Sequence, residues 1–388
     1  MNDPIIAPDD ITYQWLEDPQ QIADLCQKWS QLGAIALDTE FVRTDTFYPK
    51  PGLLQLADGQ DIYLIDPIPL ADNPDLRDLL ANEQVTKVLH SCTEDLEVLR
   101  ASFGVLPSPV FDTQIAAAFC GFGFSVGYGN LVKAVVDVDL PKDATRSDWL
   151  ARPLGNVQKR YAALDVAHLL IVYNRLLDQL HADNRLAWVE EDCRNQLLQT
   201  VDTSEINEDY YQKVRLAWKL GRASLAVLKG LCHWREQEAR RCNVPRNRII
   251  KDPVLMAVAQ EKPPHLAKLS TVDGITGRFI GEYGTDVVTV IRDSLATPKE
   301  SWPERLPKPL PQSMSDLNLL LKQRVACIAE DIGLPTEVLV RKSDLQALLR
   351  SVYEQNRPQL SERIRDTWRF DIIGQALLDE ANAYCTSS

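Results

Sequence analysis

Asp38 and Glu40 stand one residue apart at the end of an apolar run, Ala34-Ile-Ala-Leu-Asp-Thr-Glu-Phe41. The run reads as a buried strand, and a strand turns residues i and i+2 to the same face. Both carboxylates then project from one side, where the apolar stretch ends. Two acids this close repel each other and raise their own pKa values unless positive charge lies between them. A divalent cation meets that need, because hard cations take oxygen ligands. The plainer alternative is a polar strand end leading into a loop.

Two later stretches offer further groups of the same chemistry. Leu89-His-Ser-Cys-Thr-Glu-Asp-Leu-Glu97 puts Asp95 just after a strand, in the first turn of a helix. Acids are common there because they complement the helix dipole. Glu94 and Glu97 are comparably placed, so spacing does not choose among the three. In Arg160-Tyr-Ala-Ala-Leu-Asp-Val-Ala-His168 the pattern is helical, so Tyr161 and Asp165 share one face. A phenol beside a carboxylate can hold a water next to a metal, although a half-buried Tyr and a solvated Asp would look the same.

The elements that must position these groups are legible in outline. Ala34–Asp38 and Val85–His90 read as strands, and Leu53–Ala57 and Ile62–Ile65 as a hairpin around the turn signal Asp58-Gly-Gln-Asp61. Gln20–Leu32, Glu94–Phe103, Asp112–Phe119 and Val157–Leu180 read as helices. An α/β domain with a mixed sheet follows. Beyond about residue 208 strand signals stop. Tyr210–Arg240 is a long amphipathic pattern, and shorter helices run to about Arg292. Thr297 to Pro311 holds five prolines, a stiff extended linker. A last helical segment runs from about Ser315 to Tyr384.

Bulk properties set the class. The 388 residues suffice for two or three domains, and 45% hydrophobic with 25% charged residues is ordinary for a globular protein. No apolar run approaches the ~18 residues that span a bilayer. The opening Met-Asn-Asp-Pro-Ile-Ile lacks the basic and apolar regions of a signal peptide, so a cytoplasmic location is expected. The eight cysteines form no Cys-x-x-Cys pair, which suggests neither zinc nor disulfides. Net charge is −13, yet residues 1–200 carry 30 acids against 15 bases, while residues 208–292 carry 9 against 15. An acidic half that recruits cations, followed by a basic segment that holds a polyanion, would have this distribution.

Asp38-x-Glu40, Asp95 in a His-x-x-x-Glu-Asp-Leu context, and Tyr161-x-x-x-Asp165 together resemble the DEDD exonuclease superfamily, in its DEDDy branch with ribonuclease D. Phe111-Asp-Thr-Gln114, Tyr128-Gly-Asn-Leu-Val132 and Arg146-Ser-Asp-Trp-Leu-Ala-Arg-Pro-Leu154 are similar to segments of that family. The resemblance selects Asp95 over Glu94 and Glu97. It implies a ribonuclease-H-like mixed-sheet exonuclease domain. Leu231–Ala239, Val244–Leu255 and Leu269–Gly274 resemble the HRDC helical domain, and residues 315–384 look like a more divergent second copy. The expected domains are 1–205 (exonuclease), 206–294 (HRDC), 295–312 (linker) and 313–388 (HRDC-like).

The resemblance also implies metal-dependent 3′–5′ exoribonuclease activity on structured RNAs such as tRNA precursors, releasing nucleoside 5′-monophosphates. Two divalent ions, Mg²⁺ or Mn²⁺, would be held by Asp38, Glu40, Asp95 and Asp165, with Asp38 between them. Tyr161 would orient water, since a phenol of pKa about 10 is a poor base at neutral pH. Lys213, Arg215, Lys219 and Arg222, at helical spacing, and Arg240, Arg241, Arg246 and Arg248 are candidate phosphate contacts. Thr39, Phe41 and His90 are further substrate-binding candidates. A monomer with no membrane partner is expected. The rival readings are a 3′–5′ DNA exonuclease and a catalytically silent RNA-binding scaffold.

Overall fold

The protein is described by a computed structural model covering residues 5–141, 147–204 and 206–387. The residues at the chain start used above (1–4), Arg146 of the Trp-containing segment and Glu205 at the expected domain boundary lie outside the described residues. Two compact units are present: residues 1–42, 50–200 and 310–388 form one, and residues 43–49 with 201–309 form the other.

The first unit is built on six strands: β1 (Gln14–Leu16), β2 (Ala34–Val42), β3 (Lys50–Ala57), β4 (Ile62–Ile65), β5 (Thr86–Leu89) and β6 (Val110–Asp112). Their spatial order is β1-β4-β3-β2-β5-β6. β2 runs antiparallel to β3 and parallel to β5, so the sheet is mixed. The expected hairpin forms: Asp58 Oδ1 accepts from the amides of Gln60 (2.9 Å) and Asp61 (2.8 Å), and Gly59 takes the left-handed conformation at φ 87°. β1 and β6 were not legible in the sequence. Three residues are too short to display a period.

Helices cover both faces: α1 (Pro19–Trp29), α2 (Pro74–Ala81), α3 (Thr93–Phe103), α4 (Thr113–Phe119), α5 (Tyr128–Val136), α6 (Asn156–Ala167), α7 (Leu169–Ala182) and α8 (Leu186–Ser204). Alternation along β2 divides the core. Ile35 and Leu37 pack with Ile22, Trp29 and Leu96 on one face, and Ala36 packs with Ala162, Ala163 and Val166 of α6 on the other. The helix expected over Val157–Leu180 is two helices. It breaks at His168, where φ is −110° and ψ is 0° and the buried imidazole meets the Ile6 carbonyl at 2.9 Å.

The same unit contains α14 (Ser315–Ile332), α15 (Thr336–Leu339), α16 (Lys342–Gln355), α17 (Glu362–Arg365) and α18 (Gln375–Ser387). These join the exonuclease fold through a shared core. Trp368 stacks on Trp188 of α8 at 4.6 Å between ring centres, and the buried Arg369 guanidinium donates to Asp192 at 2.8 and 2.5 Å.

The second unit holds α9 (Arg222–Arg241), α10 (Arg246–Ile249), α11 (Asp252–Glu261), α12 (Leu266–Leu269) and α13 (Gly277–Ala296) around an apolar core. The helix expected from Tyr210 begins only at Arg222. Before it, short 3₁₀ turns at Tyr210–Lys213 and Ala217–Lys219 are separated by extended Val214 and by Leu216 at φ 69°. Lys213, Arg215, Lys219 and Arg222 therefore do not line one helical face. Tyr211, Val214, Ala217 and Leu220 are the buried positions, and core packing overrides the helical period.

Candidate active site

A pocket of about 250 Å³ opens in the first unit where β2 leaves the sheet, and it gathers Asp38, Glu40, Asp95, Tyr161 and Asp165. Three elements deliver them. Asp38 and Glu40 continue the alternation of Ala36, so they face α6. On α6, Ala162, Ala163 and Val166 bury one stripe against the sheet, and Tyr161 and Asp165 flank it. Asp95 sits in the first turn of α3 on the opposite side of β2.

Thr39 points the other way from Asp38 and Glu40 and ties the two sides together. It is buried, and its hydroxyl donates to Asp95 Oδ1 at 2.5 Å. Thr39 and Phe41 both line the pocket. The loop before α3 is held by Asp112, whose buried carboxylate accepts from the amides of Ser91 (2.9 Å), Cys92 (3.0 Å) and Gln114 (2.8 Å). Ser91 there has φ 60°, a left-handed backbone that these bonds sustain.

One carboxylate oxygen from each of Asp38, Glu40 and Asp165 can be chosen so that all three lie within 4.8 Å of one another. Burial, then repulsion from Asp95, Asp165 and Glu40, pushes the Asp38 carboxyl well above the ordinary range. Burial with repulsion from Asp165 and Asp95 pushes Glu40 up to about 8. Burial raises Asp165 to about 7, against a hydrogen bond from the Tyr161 hydroxyl, and Asp95 to about 6, against the bond from Thr39. Among the described residues, no Lys or Arg lines the pocket. Crowded carboxyls without a basic partner suit a hard divalent cation, and the set of Asp38, Glu40 and Asp165 fits one.

Gln55 and Tyr128 complete the pocket's surroundings; the sequence reading missed Gln55 and placed Tyr128 only within a family-like segment, with no site role. Gln55 is fully buried on β3, directly opposite Asp38 in the ladder, and its Nε2 donates to Asp38 Oδ2 at 3.4 Å. A β-pairing register would have found it. Tyr128 lines the pocket at the start of α5, and its phenol is pushed up by burial and the charge of Asp165.

His90 also lines the pocket, but both ring nitrogens are occupied within the fold, Nδ1 with Thr113 Oγ1 at 2.9 Å and Nε2 with the Val126 carbonyl at 3.0 Å. In the second unit, Lys213, Arg215, Lys219, Arg241 and Arg248 are exposed. Arg222 turns its guanidinium onto the carbonyls of Lys299, Trp302 and Pro303. Arg240 and Arg246 share the Glu236 carboxylate.

The sequence pattern of the 3′–5′ exonuclease family matches residues 13–181, and that of the HRDC domain matches residues 224–291. A ribonuclease D of Pseudomonas paraeruginosa is 42% identical over 366 residues, covering 94% of this chain and 96% of the relative. The chain belongs to the ribonuclease D family. The ribonuclease D of Escherichia coli is 33% identical over 380 residues, with 95% of this chain and 98% of that one covered. Its crystal structure, described as that of an exoribonuclease involved in structured RNA processing, superposes with a TM-score of 0.86 over 96% of this chain and all of the other. As a ribonuclease D family member the chain is a 3′–5′ exoribonuclease, with an exonuclease domain followed by an HRDC domain. Among the described residues no helix is long and apolar enough to cross a membrane.

Proposed function

We propose that the protein trims the 3′ ends of structured RNAs, tRNA precursors foremost, and releases nucleoside 5′-monophosphates. The observation that carries this is the convergence of Asp38, Glu40, Asp95, Asp165 and Tyr161 on one pocket, in a chain with the family's exonuclease and HRDC segments. Structured RNA is the substrate class named for the E. coli relative, and the similarity spans nearly the full length of both chains.

Asp38, Glu40 and Asp165 would form the primary donor set, and Asp95, held by Thr39, would serve a second cation. Two bound divalent ions, Mg²⁺ or Mn²⁺, would supply charge compensation for the attacking and leaving oxygens of the phosphodiester. Asp165 accepts the Tyr161 hydroxyl proton in a hydrogen bond, which leaves the phenolic oxygen's lone pairs to receive a water. Burial and the surrounding carboxylates push the Tyr161 phenol above its ordinary range. It therefore keeps its proton at neutral pH and acts by orienting water. Gln55 holds one oxygen of Asp38 from below.

We also read residues 313–388 as a second HRDC-like domain, after an exonuclease domain at 1–205, an HRDC domain at 206–294 and a linker at 295–312. The helices α14 to α18, like α9 to α13, alternate three longer helices with two single-turn ones.

The test is incubation with a 3′-extended tRNA and Mg²⁺, alongside a DNA oligonucleotide of matched sequence. A ladder shortening from the 3′ end on RNA, stopped by chelator and restored by Mg²⁺ or Mn²⁺, is the expected result. Internal fragments, or faster digestion of the DNA, would overturn the reading.

A further inference from the structure

The second unit carries a basic cup that the hydrolytic site does not use. Its volume is about 500 Å³, and Arg43, Thr44, Arg246, Asn247, Arg248 and Lys251 supply its polar lining. Two distant stretches build it. Residues 43–49, which connect β2 to β3, form one wall, and the turn from Pro245 to Lys251 forms the other.

The walls are rigid for identifiable reasons. Asn243, left-handed at φ 49°, accepts from the amides of Phe47 (3.1 Å) and Tyr48 (3.0 Å) through its side-chain oxygen. The buried Phe47 ring is flanked by two guanidinium groups, Arg240 at 4.9 Å and Arg246 at 4.8 Å from its centre. Arg43 Nε donates to the Phe47 carbonyl at 3.1 Å. Arg246 is oriented by Glu236, which it reaches through Nη2 at 2.8 Å and through Nε.

The lining is positive. Four cations face the cup, and among the described residues no acid lines it. Behind the wall, Glu236 is shared between Arg240 and Arg246. Asp45 meets Arg248 at 3.5 Å, with both side chains largely exposed, a pair worth little in water and readily exchanged for a stronger anion. Lys251 is exposed and has no carboxylate within salt-bridge distance among the described residues. Planar guanidinium forks beside a hydroxyl and an amide match the oxygens of a phosphodiester.

We infer that this cup binds backbone phosphates of the RNA, and that the 43–49 segment, which packs in the second unit, completes it. The inference rests on the RNA-processing reading above. In sequence, Arg43 and Thr44 follow Glu40 by three and four residues. Neither stretch contributes a cup alone. An isolated HRDC segment lacks Arg43 and Thr44.

The experiment measures RNA affinity against salt in the full chain carrying Asp38→Ala, which binds without cutting. Arg248→Glu with Lys251→Glu is compared with Arg365→Glu, an exposed charge reversal remote from the cup in sequence and in the other unit. For single strands the slope of log K against log salt changes by roughly 0.7 for each phosphate that is no longer neutralised. The double variant is expected to fall by about 1.4 in slope and to bind on the order of tenfold more weakly. Arg365→Glu is expected to retain the parent slope. An unchanged slope in the double variant, or an equal fall in Arg365→Glu, overturns the cup while leaving the exonuclease reading intact. Inorganic phosphate that stabilises the parent thermally but not the double variant, with RNA slopes equal, would make the cup a free-anion site and overturn the assignment to RNA. Absence of any RNA binding by the Asp38→Ala chain would overturn both.

Discussion

Asp38 has its pKa raised by burial and by three acidic neighbours, Asp95, Asp165 and Glu40. Its replacement by Ala should lower turnover on the order of 10³-fold, because transition-state charge stabilisation of several kcal/mol is lost. RNA binding measured by anisotropy should persist. Turnover near the wild-type rate would remove Asp38 from the site. Tyr161→Phe keeps the ring and deletes the hydroxyl that bonds Asp165. It should cut kcat roughly 10- to 100-fold with little change in KM, the signature of a misplaced reactant rather than weakened binding.

The carboxyls also make a stability prediction. Folding raises the pKa of Asp95 to about 6, of Asp165 to about 7 and of Glu40 to about 8, each above its unfolded value. The folded state then binds more protons than the unfolded chain between about pH 4 and 8, so these groups destabilise the fold increasingly as pH rises through that window. In chelator, Asp165→Asn should gain melting temperature relative to wild type as pH goes from 5 to 8, and added Mg²⁺ should close the gap. A difference that shrinks with rising pH would refute this sign.

At the scale of elements, α6 is held in place by the loop before it. Arg152 uses all five of its guanidinium N–H donors: two bonds to Asp66 at 2.7 Å each, one to the Gly52 carbonyl at 2.7 Å, and one each to the carbonyls of Trp149 and Ala151 at 2.9 Å. This clamps the loop to β3 and β4 and seats Trp149 beside Tyr161, with 6.2 Å between ring centres. Gly52 is the point of closest approach. A Cβ there would lie 2.6 Å from Trp149 Cβ and 2.7 Å from its carbonyl oxygen. Gly52→Ala should therefore displace the loop, costing roughly 1–3 kcal/mol, as overpacking does. Thermal unfolding should register the loss, and kcat should fall more than KM rises. Wild-type stability in that variant would show that the loop yields freely.

At the scale of the molecule, the C-terminal helices belong to the same compact unit as the sheet. Trp368 and Arg369 anchor them on α8 through Trp188 and Asp192. Arg185 of the segment before α8 also donates to the Ile332 carbonyl at the end of α14. A chain ended after Pro309 would strand Asp192 and expose Trp188. Each large apolar side chain returned to water costs about 1.5–3 kcal/mol. For a unit of this size that lowers the melting temperature by roughly 10 °C. Differential scanning of the truncated chain checks this, and an unshifted transition would mean that the sheet unit is independent of its C-terminal partner.

Much of the chemistry was legible without coordinates. Asp38 and Glu40 declared themselves because a strand's period of two is enforced by backbone geometry alone, and Tyr161 and Asp165 because a helix brings i and i+4 together wherever it lies. The β3–β4 hairpin was legible from Asp58 and Gly59, since turn chemistry is local. Three-residue strands, the break at His168 and the irregular path through Leu216 were not, because short elements show no period and packing decides them. The same holds for Thr39 on Asp95, Gln55 beneath Asp38, and Arg43 beside Lys251. Each pairs residues far apart in the chain, and such a meeting exists only after register, helix packing and loop closure have been settled together. The sequence alone marked Asp38, Glu40, Tyr161 and Asp165 as groups able to share one site. The tertiary structure decided which of them meet, because local geometry constrains neighbours along the chain and only packing constrains the rest.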